Sequence, residues 1–244
     1  IDHMQIAGRS TDEQPRFFRN QSQRVYDGAD VHQSCRRFIS FQAPLAHDPV
    51  TAAGEEITAV NAAVGLNKLL QISCGAAYTD SGETVVFDIK NRYTVLREVI
   101  EETNYKVIVF IPFKHTIEVL KERLTEDGIS VEVISGEVSA GSRTRIFNDF
   151  QSTSNIKVLL VQPQAAAHGV TLTAADTIVF WSPVMSVETY IQCIGRIDRV
   201  GQKNSMTVVH LQGSDVERRV YRMLQGKVDS HQQLVDLYKQ EFDL

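Results

Sequence analysis

Cysteine is scarce in this chain: Cys35, Cys74 and Cys193 are the only three among 244 residues. An odd count at such wide spacing argues against a disulfide framework and against a cysteine-based zinc site. It fits a reducing, intracellular setting, so the expected location is the cytoplasm, or the nucleoid if the source is bacterial. An excess of positive charge is also missing. Lys and Arg number 25 against 30 Asp and Glu, a formal net charge of -5, so any contact with nucleic acid has to come from a local patch. No apolar run approaches the roughly 20 residues needed to span a bilayer, and the start lacks a signal-peptide core. No membrane partner is expected. Internal repeats and low-complexity tracts are absent as well. The opening IDHM is set aside as an added remnant.

What is present, from about Tyr105 onward, is regular alternation. The β-branched runs KVIVFI (Lys106 to Ile111), VEVI (Val131 to Ile134), KVLLV (Lys157 to Val161), TIVFW (Thr177 to Trp181) and TVVHL (Thr207 to Leu211) predict strands. HTIEVLKERLTEDG, GSRTRIFNDFQ and an arginine-bearing stretch between them predict helices. Strand and helix alternating in this way give βαβ units, hence an α/β fold with a parallel sheet covered by helices on both faces. Residues 5 to about 53 read as an irregular or partly helical lead-in. Glu55 to Ala77 predicts a long helix, followed by the turn-prone TDSGET, and Lys90 to Glu102 another helix with Tyr93, Leu96 and Ile100 on one face. SDVERRVYRMLQGK and SHQQLVDLYKQEF read as two closing helices capped by Ser214 and Ser230. The chain thus divides into a lead-in and connecting segment over residues 1–88, a lobe over 89–213 and bracing helices over 214–244.

The stretch YIQCIGRIDRVGQKN, Tyr190 to Asn204, sets two arginines into an amphipathic pattern. On a helix, Gln192, Arg196 and Arg199 form one stripe and Cys193, Ile197 and Val200 the neighbouring one. Ser186 suits the N-cap, Glu188 the positive end of the helix and Gly201 its termination. Either the polar stripe lines a cleft, or this is a surface helix with solvated arginines.

Ligands of open parallel α/β sheets bind beyond the carboxyl ends of the strands. The loops there are PFKHT, SGE, QPQAAAHGVTL and SPVMS, which places Lys114, Gly136, Gln164, His168 and Gly169 along one surface. Ala165, Ala166, Ala167 and Gly169 would let a ligand or a facing domain approach the backbone. Tight helix packing is the alternative reading of that small-residue run, and an exposed loop histidine that of His168.

QCIGRIDRVGQ, Gln192 to Gln202, resembles the last helicase motif of the Swi/Snf-related DNA-dependent ATPases of the second helicase superfamily, whose pattern is Gln-x-x-x-Arg-x-x-Arg-x-Gly-Gln. QPQAAAHGVTLTAAD (Gln162 to Asp176) is similar to that family's preceding motif, and VIVFIPFKHTIEVLKERL to its first second-lobe motif. ISGEVSAGSRTRIFNDFQ is similar to the intervening Gly and Arg segment, and NKLLQISCGAAY to the connecting segment before the lobe. The resemblance covers roughly residues 55 to 225, with the motifs in the family's order.

The resemblance implies a RecA-like fold and a nucleotide site between two such lobes, with this chain supplying the second. ATP and Mg2+ would be held mainly by the first lobe of the same protein. Arg199 would be the arginine finger, Arg196 would contact the phosphates or hold Arg199, and Gln192 would order the water or the lobe interface. Gly169 and Thr171 would approach the nucleotide and the lobe junction. Nucleic acid, double-stranded DNA in this family, would track across Lys114, His115, Thr116, Gly136, Arg143, Gln164 and His168. Pro163 stands where a hydroxyl residue is expected to meet a phosphate, leaving Gln162 or Gln164 to replace it. Asp198 stands where many relatives carry histidine, and His168 with Gly169 points to a short bacterial or phage-type member.

Hydrolysis of this kind also needs a loop of pattern G-x-x-x-x-G-K-[ST] and an acidic pair after a buried strand. Neither is found: Gly226-Lys227 is followed by Val228, and the acidic pair in DEQP, Asp12 to Pro15, follows no buried strand. The chain therefore carries half of an active site and is expected to be silent as an ATPase by itself. Two alternatives remain, a catalytically inactive RecA-like interaction module and an RNA helicase lobe. DRVGQ fits the DNA-translocase branch better than the second of these.

Overall fold

The computed structural model describes residues 24–27, 36–42, 62–79, 82–167 and 169–242, with side chains over 65–79, 82–165 and 169–230. Nine strands occur among them: β1 (Arg24–Asp27), β2 (Arg36–Gln42), β3 (Ala76–Tyr78), β4 (Thr84–Val86), β5 (Lys106–Phe110), β6 (Val131–Ile134), β7 (Val158–Val161), β8 (Ala175–Phe180) and β9 (Met206–Gln212). The helices are α1 (Ala62–Cys74), α2 (Lys90–Glu102), α3 (Lys114–Glu126), α4 (Ala140–Ser152), α5 (Val187–Ile194) and α6 (Asp215–Phe242). Seven strands form one sheet in the order β1-β2-β9-β8-β5-β7-β6. Only the β1–β2 pairing is antiparallel; β2–β9, β9–β8, β8–β5, β5–β7 and β7–β6 are parallel. This is the α/β fold with a mainly parallel sheet that the alternation predicts, and the RecA-like arrangement that the resemblance implies.

The central strands β5, β7 and β8 are largely apolar because each face of the sheet is covered there. Alternate residues divide between two cores. Ile108, Phe110, Leu159, Val161, Ile178, Phe180 and Val208 pack with α4, α5 and α6. Their neighbours Val107, Val109, Val158, Leu160, Val179, Trp181 and Val209 pack with α2 and α3. A fully buried aliphatic side chain contributes about 1.5–3 kcal/mol, so the central strands anchor both layers. The expected face of α2 is the buried one: Tyr93, Leu96 and Ile100 all lie in the core.

Three expectations need correcting. Within the span read as an irregular lead-in, residues 24–27 and 36–42 are strands, and β2 extends the sheet beside β9 with Ser40 opposite His210. The helix expected over Glu55 to Ala77 is seen over Ala62–Cys74, residues 55–61 lie outside the described residues, and Ala76–Tyr78 is a strand paired with β4. Gly75 makes that break: its φ is +100°, and a Cβ there would lie 1.9 Å from Ile89 Cγ2, so only glycine fits. The two closing helices are one, Asp215–Phe242. An interior glycine costs a helix only about 1 kcal/mol, and Ser230 Oγ donates back to Gly226 O at 2.8 Å instead of capping a new helix.

Ser214 does cap α6. Glu217 N donates to Ser214 Oγ (3.3 Å), and Glu217 Oε2 accepts from Ser214 N (3.1 Å) and Gly213 N (2.7 Å). This reciprocal exchange is a capping box.

Candidate functional site

The arginine-bearing stretch begins as expected. Ser186 Oγ accepts from Thr189 N at 3.3 Å, Glu188 lies in the first turn, and Tyr190, Cys193 and Ile194 are buried. The helix then stops at Ile194 with Gly195 as its C-cap, and residues 195–201 form consecutive turns. The Arg196 carbonyl, which a continued helix would offer to Val200, accepts instead from Leu172 N at 2.8 Å. The Ile197 carbonyl accepts from Gln202 Nε2 at 3.3 Å. Tertiary acceptors and donors thus replace the helical ladder, and the proposed helical stripe is lost. Val200, expected on the apolar face, is fully exposed.

The two arginines still end up together, in different environments. Arg199 is exposed and folds back on the loop before β8: Nη1 donates to Gly169 O (3.1 Å) and Thr171 Oγ1 (3.3 Å), and Nε to Gly195 O (3.1 Å). Gly169 has φ +63°, a conformation that frees its carbonyl for this contact with little strain. Arg196 is only 5% exposed, and its Nε and Nη1 meet no acceptor. Burial, and then the charge of Arg199, lower its pKa, although a guanidinium keeps its proton in any protein setting. Buried donors are almost always paired, and these two have no partner within the described residues. Unfilled guanidinium N–H groups beside a second arginine are a donor set suited to phosphate oxygens. Gln192, half-buried, donates to Glu188 Oε1 at 3.1 Å along the helix and is not aligned with the arginines.

One residue of this turn carried no role in the sequence reading. Gln202 Nε2 donates to Ala175 O at 2.9 Å as well as to Ile197 O, its Oε1 accepts from Asn204 N (3.1 Å), and its own N–H donates to Arg199 O (3.0 Å). It fastens the arginine turn to the first residue of β8. The final Gln of the motif was the available signal.

The expected nucleic-acid surface separates into buried and exposed members. His115 and Thr116 are buried: His115 Nε2 lies 2.7 Å from Ala76 O, its ring meets Tyr78 edge-on, and burial lowers its pKa. Both pack α3 against its surroundings and are withdrawn from the surface. The Gly136 N–H is taken by Gln162 Oε1 at 3.2 Å. Arg143 Nη2 donates to Ser135 O and Val138 O, both at 3.2 Å, holding the turn after β6. Gln164 is exposed on a 3-10 turn, Pro163–Ala167. Lys114, at the start of α3, is exposed and ion-paired with Glu137. His168 lies outside the described residues, and with it the hint of a bacterial or phage origin. So do Ala166 and Ala167 side chains and the acidic pair in DEQP. No cluster of His, Cys, Asp and Glu able to hold a metal occurs among the described residues, and no described helix is long and apolar enough to cross a membrane.

Comparison with known proteins places this geometry. Residues 91–201 match the family model of the helicase conserved C-terminal domain. The mouse chromodomain-helicase-DNA-binding protein 1-like is 31% identical over 125 residues, 51% of this chain and 14% of that protein. The ATP-dependent DNA helicase DDM1 of Arabidopsis thaliana is 28% identical over 127 residues, 51% of this chain and 17% of that protein. The chain thus spans less than a fifth of the length of these curated relatives. Among solved structures, the C-terminal part of the Fun30 ATPase domain superposes with a TM-score of 0.52 at 18% identity, covering 55% of this chain and 45% of that one, which bears on the fold alone. The matched span contains both arginines, the Gly169 to Thr171 loop and strands β5 to β8: over these residues the chain carries a lobe similar to the helicase C-terminal domain of the Swi/Snf-related proteins of helicase superfamily two.

Proposed function

We propose that this chain is the second motor lobe of an ATP-driven translocase of double-stranded DNA, working inside the cell and turning over ATP only together with a first RecA-like lobe. The observation that carries this reading is Arg196, a buried guanidinium with Nε and Nη1 unfilled, set beside the exposed Arg199. ATP and Mg2+ would sit at the junction of the lobes, where the metal neutralises phosphate charge. Arg196 and Arg199 would bind the phosphates from this side, with Arg199 leaving Gly169 O and Thr171 Oγ1 to meet the charge that builds up in the transition state. Gln202 would keep the turn in place, and Gln192 would face the other lobe.

Exposed apolar side chains around the turn, Met185, Ile191 and Val200, give a facing lobe a surface to cover. Duplex DNA would be held through its phosphates, with little sequence preference. Among the described members of the expected track, Lys114, Gly136 and Gln164 stand exposed.

The test is ATP turnover, with and without duplex DNA, by this chain alone and mixed with the first lobe of its parent protein. Turnover that needs both lobes and rises with DNA supports the reading. A mixture as silent as the chain alone would favour an interaction module that retains the fold without the chemistry. Stimulation by RNA in place of DNA would move the chain to an RNA helicase.

A further inference from the structure

Two basic residues of the expected track, Lys114 and Arg143, lie in the helices that follow β5 and β6. Arg143 Nη2 donates to the carbonyls of Ser135 and Val138, and the Gly136 N–H donates to Gln162. Val138 N also closes the turn onto Ser135 O at 3.2 Å. The turn from 135 to 138 is therefore held from α4 on one side and from the β7 loop on the other. Glu137 sits within this fixed turn, 69% exposed, with Oε1 against the Nζ of Lys114, which is 44% exposed. The other charged or titratable neighbours felt by Lys114 are Glu118, one turn along α3, and Tyr78; the pairing with Glu137 leads in raising its pKa.

We propose that Glu137 is a built-in competitor of the nucleic-acid phosphate: its carboxylate occupies the cation, Lys114, that a DNA phosphate would otherwise engage, and binding has to displace it. This rests on the reading of the surface as a DNA track. An exposed ion pair is weak, so the competitor is displaceable, while a rigid turn keeps it at high local concentration. Its effect is to lower non-specific affinity and to let the lobe release one phosphate before it takes the next. A carboxylate left beside the displaced site also repels the incoming backbone, which adds to discrimination against loose binding.

The experiment is equilibrium binding of the 244-residue chain to a fluorescent duplex of random sequence across a salt series, for wild type, Glu137→Gln, Lys114→Ala and the double variant. Glu137 is exposed, so the fold should persist, which thermal unfolding verifies. The expected result is about two- to fivefold tighter binding by Glu137→Gln at low salt, with the logarithmic salt slope steeper by about one. That gain should vanish in the Lys114→Ala background. If Lys114→Ala weakens binding while Glu137→Gln matches wild type in affinity and slope, the competitor is refuted and the DNA track stands. A gain of equal size in the Lys114→Ala background would make Glu137 a diffuse charge and would also overturn the proposal. If neither wild type nor Glu137→Gln binds duplex at low salt, the DNA track itself falls.

Discussion

Arg92 and Glu217 form a two-pronged ion pair in the interior, Nη2 to Oε2 at 2.7 Å and Nη1 to Oε1 at 2.9 Å, with side chains 1% and 0% exposed. Glu217 thereby joins the N-terminus of α6 to α2, while Arg92 Nη1 also reaches the carbonyl of Trp181, the residue after β8. Trp181 Nε1 in turn donates to Cys74 O at 2.9 Å, at the end of α1. Burial disfavours the Arg92 cation, but the carboxylate of Glu217 more than compensates and its pKa is raised. One node therefore fixes α1, α2, α6 and the start of the loop that leads to the arginine turn.

Removing one partner leaves the other charge buried and unpaired, which costs about 3–5 kcal/mol. Glu217→Ala should therefore lower stability by about that much, slightly more than Arg92→Ala because the capping box is lost too. Replacing both residues with apolar ones of similar size should recover much of the loss. Urea unfolding of the three variants checks this. Single variants within about 1 kcal/mol of wild type would show that the pair is not a determinant of the fold.

Gly75→Ala places a methyl 1.9 Å from Ile89 Cγ2 at φ +100°, so both space and backbone oppose it. The expected outcome is a loss of about 2 kcal/mol or more, seen as a lower midpoint in the same unfolding experiment. An unchanged midpoint would mean that α1 and the β3–β4 hairpin are not packed on the lobe in solution.

His210 gives the stability its acid dependence. It is buried among Phe180, Tyr190 and Tyr221, with Tyr190 Oη 2.8 Å from Nε2, and burial pushes its pKa down to about 3. The ordinary value is near 6.5, so the unfolded chain binds a proton that the folded chain refuses. Stability from this group is complete above about pH 6.5 and is lost progressively as pH falls from there towards 3. Melting temperature should drop between pH 7 and pH 5, and His210→Phe should flatten that slope. An identical slope in the variant would refute the assignment.

The sheet was legible because it is made of apolar runs long enough to identify and is buried on both faces, as at KVIVF and VLLV. The arginines were legible through their spacing, whereas their geometry was not. A pattern of period 3.6 continued through Gly195, and only the carbonyl of Arg196 meeting Leu172 N, and that of Ile197 meeting Gln202, decide for turns. Those contacts join residues far apart or in a turn that no periodicity describes. His115 and Thr116 failed for a related reason: position after a strand marks the functional edge, but whether a side chain there faces out depends on β3, which packs against α3. The strand at β2 was missed because RRFISFQ carries charge and polarity where a central strand would be uniformly apolar.

Gln202→Ala removes the clamp between the arginine turn and β8. In the proposed two-lobe motor, turnover should fall at least tenfold while the half-saturating ATP concentration and DNA affinity change little. Stability should drop only about 1–2 kcal/mol, the cost of removing the side-chain donor of Ala175 O while Ile197 O keeps Arg199 N. Steady-state kinetics over an ATP titration separates these. Unchanged turnover, or loss only through unfolding, would make Gln202 a stability residue.

The most direct measurement is ATP turnover and duplex binding by the proposed two-lobe motor carrying Arg199→Ala. Arginine fingers contribute about 10³ to 10⁵ in rate, so turnover should fall at least a thousandfold while DNA binding stays nearly intact. Turnover that persists, or a parallel loss of DNA binding, would contradict the account and leave Arg199 as a clamp on Gly169 and Thr171.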